Sequence, residues 1–194
     1  MIRQQRAVLV FVVLLGVLTL GAAPTAADPG PTGASPRVVG PARIEGDVTV
    51  ELLTVVSDHP TNPPGRIIYR TYRFIPQCST GGCRTVLYRP RGDDFTRFVL
   101  VPGRLTSGER VYRGTARPLA DCGSPDGQIT VPDAYTSVER IVVHPRRVNA
   151  DNTATKVRGE FRVQATLTPA GVAGGCEQGT PTVYSFRSVT PFTT

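Results

Sequence analysis

The chain has 194 residues, of which 40% are hydrophobic and 19% charged, and its formal net charge is +7. That apolar share supports a real core and excludes a disordered chain, and the length suits one domain with a tail. Lys156 is the only lysine, and the arginines are scattered singly apart from Arg146-Arg147, whereas a nucleic-acid stripe gathers basic residues on one face with aromatics between them. No nucleic acid is expected as a partner, although the charge permits a mild attraction to anionic polymers or lipid head groups.

Residues 1–27 read as a secretory signal peptide. Arg3 and Arg6 supply the positive start, and Ala7 to Leu20 form an uncharged apolar run of roughly fourteen residues, the usual length of a signal core. Small side chains at Thr25-Ala26-Ala27 place the cut between Ala27 and Asp28. The run is short for a membrane span, which takes about 20 residues, and no second run follows, so no stable span is expected after cleavage. A retained N-terminal anchor is the alternative. Loss of Arg3 and Arg6 removes two charges and leaves +5. Residues 28–46, rich in Pro and Gly, read as a flexible leader that could partly lie on the domain.

Residues 47–194 then read as a single β domain. Strand patterns of β-branched and aromatic residues, alternating with period two between Gly, Pro and Asp breaks, fall at Val48–Val56, Arg66–Ile75, Arg84–Arg89, Thr96–Val101, Arg110–Arg117, Val138–His144, Lys156–Leu167 and Thr182–Val189. The clearest is "KVRGEFRVQATL", with Val157, Phe161, Val163, Ala165 and Leu167 on one face and Arg158, Glu160 and Arg162 on the other. A single helical turn is expected near Asp133–Val138, where a Pro precedes good helix-start residues. Eight short strands without crossover helices predict an antiparallel all-β domain. An up-and-down barrel of about eight strands removes the exposed edges, and a two-sheet β-sandwich is the alternative.

Four cysteines, Cys78, Cys83, Cys122 and Cys176, lack the paired spacing of a zinc ribbon, and neither His59 nor His144 is near one. Four residues separate Cys78 from Cys83, too many for a thioredoxin-type site. An exported chain with an even count is read as disulfide-bonded. Of three connectivities, Cys78–Cys83 is favoured because Ser79-Thr80-Gly81-Gly82 is turn chemistry, which leaves Cys122–Cys176.

The run Tyr72, Phe74, Pro76, Cys78, Gly82, Cys83, followed by "VYRGTA" at Val111–Ala116, Cys122, "VRGEF" at Val157–Phe161 and Cys176, resembles an uncharacterised group of exported actinobacterial β-domain proteins with a Tyr/Trp-x-Phe-x-Pro-x-Cys-x4-Cys motif. The resemblance covers about Ile68 to Phe186. Such domains occur alone and as extracytoplasmic parts of membrane proteins, including some serine/threonine kinases. They often carry Trp where this chain has Tyr72. The resemblance implies a fold and a compartment, and it carries over no catalytic residue.

No catalytic constellation is legible. The strained Gly-x-Ser-x-Gly elbow is absent, His59 reads as a solvated loop residue, and His144 reads as a strand terminus before Pro145. No cofactor motif, phosphate-binding loop or metal-ligand set is found. Asp93, Asp94, Asp121, Asp126 and Glu160 could serve carboxylate-dependent hydrolysis only if two of them shared a cleft. "RPRGDD" reads as a turn between strands.

The expected function is therefore that of a secreted, extracytoplasmic, non-enzymatic β-domain that binds a partner protein, envelope polymer or small ligand. Tyr69, Tyr88, Tyr112 and Tyr135 are its candidate contact anchors. A hydrolase inhibitor using the Cys78–Cys83 loop and a carboxylate hydrolase are the alternatives. The partner is extracellular or in the envelope, and the sequence sets no oligomeric state. A filled interior favours surface binding, whereas an apolar cavity favours a carrier.

Overall fold

Alternation of side chains dictates most of the architecture. The computed structural model describes residues 42–79, 82–123 and 128–193, with the backbone alone at Ser79, Gly82 and Cys83. Its strands are β1 (Gly46–Val56), β2 (Ile67–Ser79), β3 (Gly82–Arg91), β4 (Asp94–Arg104), β5 (Arg110–Ala116), β6 (Leu119–Gly123), β7 (Ile129–Val148), β8 (Ala154–Leu167) and β9 (Thr182–Ser188), with one short helix, α1 (Pro169–Ala173). In β1, Val48, Val50, Leu52 and Thr54 are buried while Leu53 and Val55 are exposed, the period-two pattern of a strand with one wet face. In β8, Val157 and Phe161 are buried and Arg158 and Arg162 exposed, on the two faces read from the sequence.

The strands pair antiparallel in the order β5-β4-β3-β2-β1-β9-β8-β7, and β5 also pairs with β7. That last pairing, Tyr112 opposite Val143 through Ala116 opposite Glu139, shuts the sheet into an eight-stranded up-and-down barrel. Of the two architectures open to the sequence, the barrel is the one adopted. Strand β6 continues past β5 along the same edge of β7, so the first half of β7, with β6 and the end of β8, rises above the barrel as an arm.

Eight strands leave a lumen just wide enough for side chains to fill or for one small ligand. Here side chains fill it. Tyr72 meets Phe186 edge to face at 5.8 Å, Phe98 meets Phe161 at 6.2 Å, and Phe161 stacks on Tyr184 at 5.6 Å. Gly114 makes room for this packing: a Cβ there would stand 2.6 Å from Leu100 and 3.3 Å from Phe98.

One end is plugged. Arg43 pairs with Thr153 in the β7–β8 turn and Thr193 with Asp47, while Ala42, Ile44 and Phe192 join the core. Residues 42–46, the end of the expected leader, lie on the domain. Ala42 and Ile44 are apolar and cap an otherwise open lumen, and Gly46 already belongs to β1. The signal peptide, the cut between Ala27 and Asp28 and leader residues 28–41 lie outside the described residues. Among the described residues no helix is long and apolar enough to cross a membrane.

One local expectation fails at the arm. Asp133–Val138 is strand, pairing Tyr135 with both Ala120 and Leu167. Pro132 and Asp133 interrupt the pattern there because Asp133 adopts φ 51°, and its N–H donates to Asp121 Oδ1 at 2.9 Å. The helical turn lies instead at α1, where Thr168 accepts from the Gly171 N–H and Pro169 opens the helix, the expected roles of an N-cap residue and an N-terminal proline. Cys122 and Cys176 join β6 to the loop after α1, with Cα atoms 6.2 Å apart. Their separation of 54 residues corresponds to about 4 kcal/mol in the chain-entropy account of disulfides. Such a bond fits an oxidising, extracytoplasmic compartment.

Gly159 gives the fold a sharp test. A Cβ there would lie 2.1 Å from the Val142 carbonyl oxygen and 2.4 Å from the Phe186 ring, whereas at Gly103 the nearest atom is Arg113 Nη1 at 3.7 Å. Overpacking of this kind makes Gly159→Ala cost at least ~2 kcal/mol in urea denaturation, while Gly103→Ala stays within about 0.5 kcal/mol of wild type. Equal effects would contradict the packing of Phe186 over Gly159.

Candidate functional site

The unplugged end of the barrel is its mouth, where the 57–66 loop joins β1 to β2. A short relay fixes this loop. The Thr54 hydroxyl donates to Asn62 Oδ1 at 2.9 Å, and Asn62 Nδ2 donates to the Tyr184 hydroxyl oxygen at 2.6 Å. The Asn62 N–H donates to the His59 carbonyl at 2.9 Å. On the far side, the Thr180 N–H donates to Asp58 Oδ2 at 3.2 Å, and hydrogen bonding from Thr180, its side chain first and its N–H second, holds the Asp58 carboxyl below its ordinary pKa. Between these elements lies a recess of about 320 Å³ bordered by His59, Asn62, Arg66, Ile68, Arg70 and Tyr184.

Directly inward is a charge pair in the core. Arg89 on β3 reaches across the lumen to Glu139 on β7, its Nη2 donating to the two carboxylate oxygens at 2.8 and 2.7 Å. The side chains are only 14% and 5% exposed. The guanidinium also lies 4.5 Å from the centre of the Phe161 ring, a cation–π distance. Tyr72 faces the same group, and burial drives its phenol far above the ordinary range while Arg89 pulls the other way. Among the described residues the Tyr72 hydroxyl and Arg89 Nε have no hydrogen-bond partner. Sequence reasoning missed this pair, yet a signal exists: Glu139 shares strand parity with Ile141 and Val143, and Arg89 with Leu87.

The second concavity, about 640 Å³, lies on the outer wall over Glu51, Leu53, Ile67, Arg158, Glu160 and Arg187. Its charges largely neutralise one another, since Arg187 Nη2 meets Glu51 Oε1 at 3.0 Å and Arg162 pairs with Glu160. His144 stands at its border with Nδ1 at 3.0 Å from Glu109 Oε1, and Arg146 meets the same oxygen at 2.8 Å. The hydrogen bond from His144, more than the nearby positive charge, keeps the Glu109 carboxyl below its usual pKa.

The predicted site residues separate rather than converge. Asp93 and Asp94 are in the tight β3–β4 turn, Asp121 is on β6, and Glu160 is on the outer face of β8; Asp126 lies outside the described residues. Two carboxylates poised across a scissile bond are not found among the described ones. His59 is exposed and uses Nδ1 to accept from the Thr61 N–H at 3.3 Å, and neither histidine holds a carboxylate on one nitrogen and a nucleophile on the other. Among the described residues no three His, Cys, Asp or Glu side chains gather as a metal site.

Cys78 is disulfide-bonded and stands opposite Cys83 in the β2–β3 register, at the plugged end and far from the mouth. The Cys83 side chain, and with it the expected Cys78–Cys83 bridge, lies outside the described residues. Among the tyrosines, Tyr69 is 56% exposed, but Tyr112 is fully buried inside the barrel and is no contact anchor. Its inward parity follows from its place opposite Pro102 and Val143. Tyr135 is held by its hydroxyl, which donates to the Glu177 carbonyl at 2.9 Å.

A buried ion pair loses more when halved than when replaced whole. Arg89→Met and Glu139→Gln are each expected to cost about 3 kcal/mol in urea denaturation, and the double variant clearly less than their sum. Strict additivity, or single costs below about 1 kcal/mol, would contradict a coupled pair in the lumen. Comparison with protein-family models, curated proteins and solved structures gives no match to this chain.

Proposed function

We propose that this protein is an exported, non-enzymatic binding domain of the extracytoplasmic space, related to the exported actinobacterial β-domains it resembles, that engages its partner at the barrel mouth. The observation that carries this reading is the filled lumen. With Tyr72, Phe98, Phe161, Phe186 and the Arg89–Glu139 pair occupying the interior, a carried apolar ligand has no room, and recognition falls to the surface. The mouth is the end that carries the β1–β2, β3–β4 and β8–β9 loops, with a fixed recess between the β1–β2 loop, β2 and β9. Rigid loops lose little entropy on binding, which favours such a site. The separated carboxylates support the non-enzymatic reading, and the signal-like first 27 residues together with the Cys122–Cys176 bond support export.

Photo-crosslinking tests this. A benzophenone side chain is placed at Thr61 or Asp93 on the mouth, or at Thr106 or Ser107 in the β4–β5 loop of the plugged end, and the purified chain is irradiated with envelope material. Adducts are expected from the mouth positions alone, and excess unmodified protein should suppress them. Adducts from the plugged end only, or none competed away, would contradict recognition at the mouth.

A further inference from the structure

The chemistry of the mouth recess is one-sided. Its border includes two guanidinium groups, Arg66 and Arg70, and no carboxylate. By contrast, Arg73 has Asp47 at 2.8 Å and Arg187 has Glu51 at 3.0 Å. Among the described residues Arg66 and Arg70 donate only to backbone carbonyls, of Thr61 and Tyr69 respectively, which leaves several of their N–H groups unspent there.

The neutral groups point the same way. Because His59 Nδ1 accepts from the Thr61 N–H, the neutral imidazole carries its hydrogen on Nε2 and is a donor there. Asn62 commits its oxygen to Thr54 and donates to Tyr184, so the Tyr184 hydroxyl hydrogen remains free to be donated. Burial raises the Tyr184 phenol's pKa, with Arg66 and Arg89 among the charges pulling it down, so the hydroxyl stays protonated. The recess is thus positively charged and bordered chiefly by hydrogen-bond donors, with the Thr61 and Thr182 hydroxyls able to donate or accept; the Thr54–Asn62–Tyr184 relay fixes it in place, and Ile68 supplies an apolar wall.

We propose that the recess binds an oxyanionic group, a phosphate, sulfate or carboxylate, carried on a small organic body such as a single sugar. Arginine forks and a tyrosine hydroxyl suit this chemistry because charge-assisted hydrogen bonds to an oxyanion are roughly twice as strong as neutral ones. A cation finds no carboxylate among the side chains that line the recess, and a neutral acceptor forms only the weaker, uncharged half of such hydrogen bonds. The inference rests on the reading of the mouth as the binding end.

The full exported chain, isotopically labelled and with its disulfides intact, is titrated by NMR with ribose 5-phosphate, glucuronate and neutral ribose. At least one anion is expected to shift the Asn62, Arg66 and Tyr184 signals saturably with Kd at or below ~1 mM, and added salt should weaken it. Ribose should leave them unmoved. Saturation by ribose 5-phosphate identifies phosphate, and saturation by glucuronate identifies carboxylate. Arg66→Gln with Arg70→Gln should weaken binding at least about tenfold without shifting the core resonances of Phe98 and Phe161, and the Lys pair should restore part of it. No saturable shift with either anion, equal binding of ribose, or an unaffected Gln pair in a folded variant would overturn the proposal. Mouth cross-links that persist alongside a failed titration would remove this inference alone, whereas loss of both would remove the binding reading itself.

Discussion

The pairing of β5 with β7 is the constraint on which the rest of the molecule depends. Without Tyr112 opposite Val143 and Gly114 opposite Ile141, the meander would be an open sheet with two edges and one apolar face exposed to solvent, a liability for an exported chain. With it, the inward residues of all eight staves meet in a single core. Closure also sorts the surface into an outer wall of paired charges, a plugged end and a mouth. The small residues Gly114 and Ala116 on β5 let the rings of β4 and β8 approach the seam.

A core of this width leaves little room for polarity, yet it holds Arg89 and Glu139. Buried pairs of this kind seldom add net stability, because desolvation offsets their attraction. Their effect here is geometric. Arg89 and Glu139 tie β3 to β7 across the lumen beneath the mouth and set the depth at which the apolar plug ends. Above them the wall becomes Asn62, held by Thr54, with Tyr184, Ile68 and Arg70, so the recess inherits a rigid floor from the core and a rigid rim from the loop hydrogen bonds. The Cys122–Cys176 bond secures the arm at the side of this opening, where α1 packs on β7 and Gly171 comes so close to the Ala134 carbonyl that no Cβ would fit.

Strand alternation was enough to find eight of the nine strands and the all-β class, because "VTVELL" and "FRVQATL" expose the two-residue period plainly. It failed at β6 and the start of β7, where Pro118, Pro132 and Asp133 break the period and a left-handed Asp133 imitates a helix start. It failed again at Tyr112, whose inward neighbours Gly114 and Ala116 are too small to mark the buried face. The turn chemistry at α1 was present in "TPAGVAGG" as a capping Thr, a Pro and terminal glycines. Of the mouth, only Arg70 carried a local signal, as a charge on the parity of Ile68 and Tyr72. His59, Arg66 and Tyr184 come together only because β1 pairs with both β2 and β9, a contact between the two ends of the domain that no local pattern encodes.

Hydrogen–deuterium exchange at the seam tests the account most directly. Peptides spanning Arg110–Ala116 and Glu139–Val143 should exchange as slowly as the β2–β3 hairpin, opening only with the whole domain. Exchange of the Arg110–Ala116 peptide at the rate of an unpaired edge, while β2 and β3 stay protected, would mean that the barrel is open and that its filled core and defined mouth do not exist in solution.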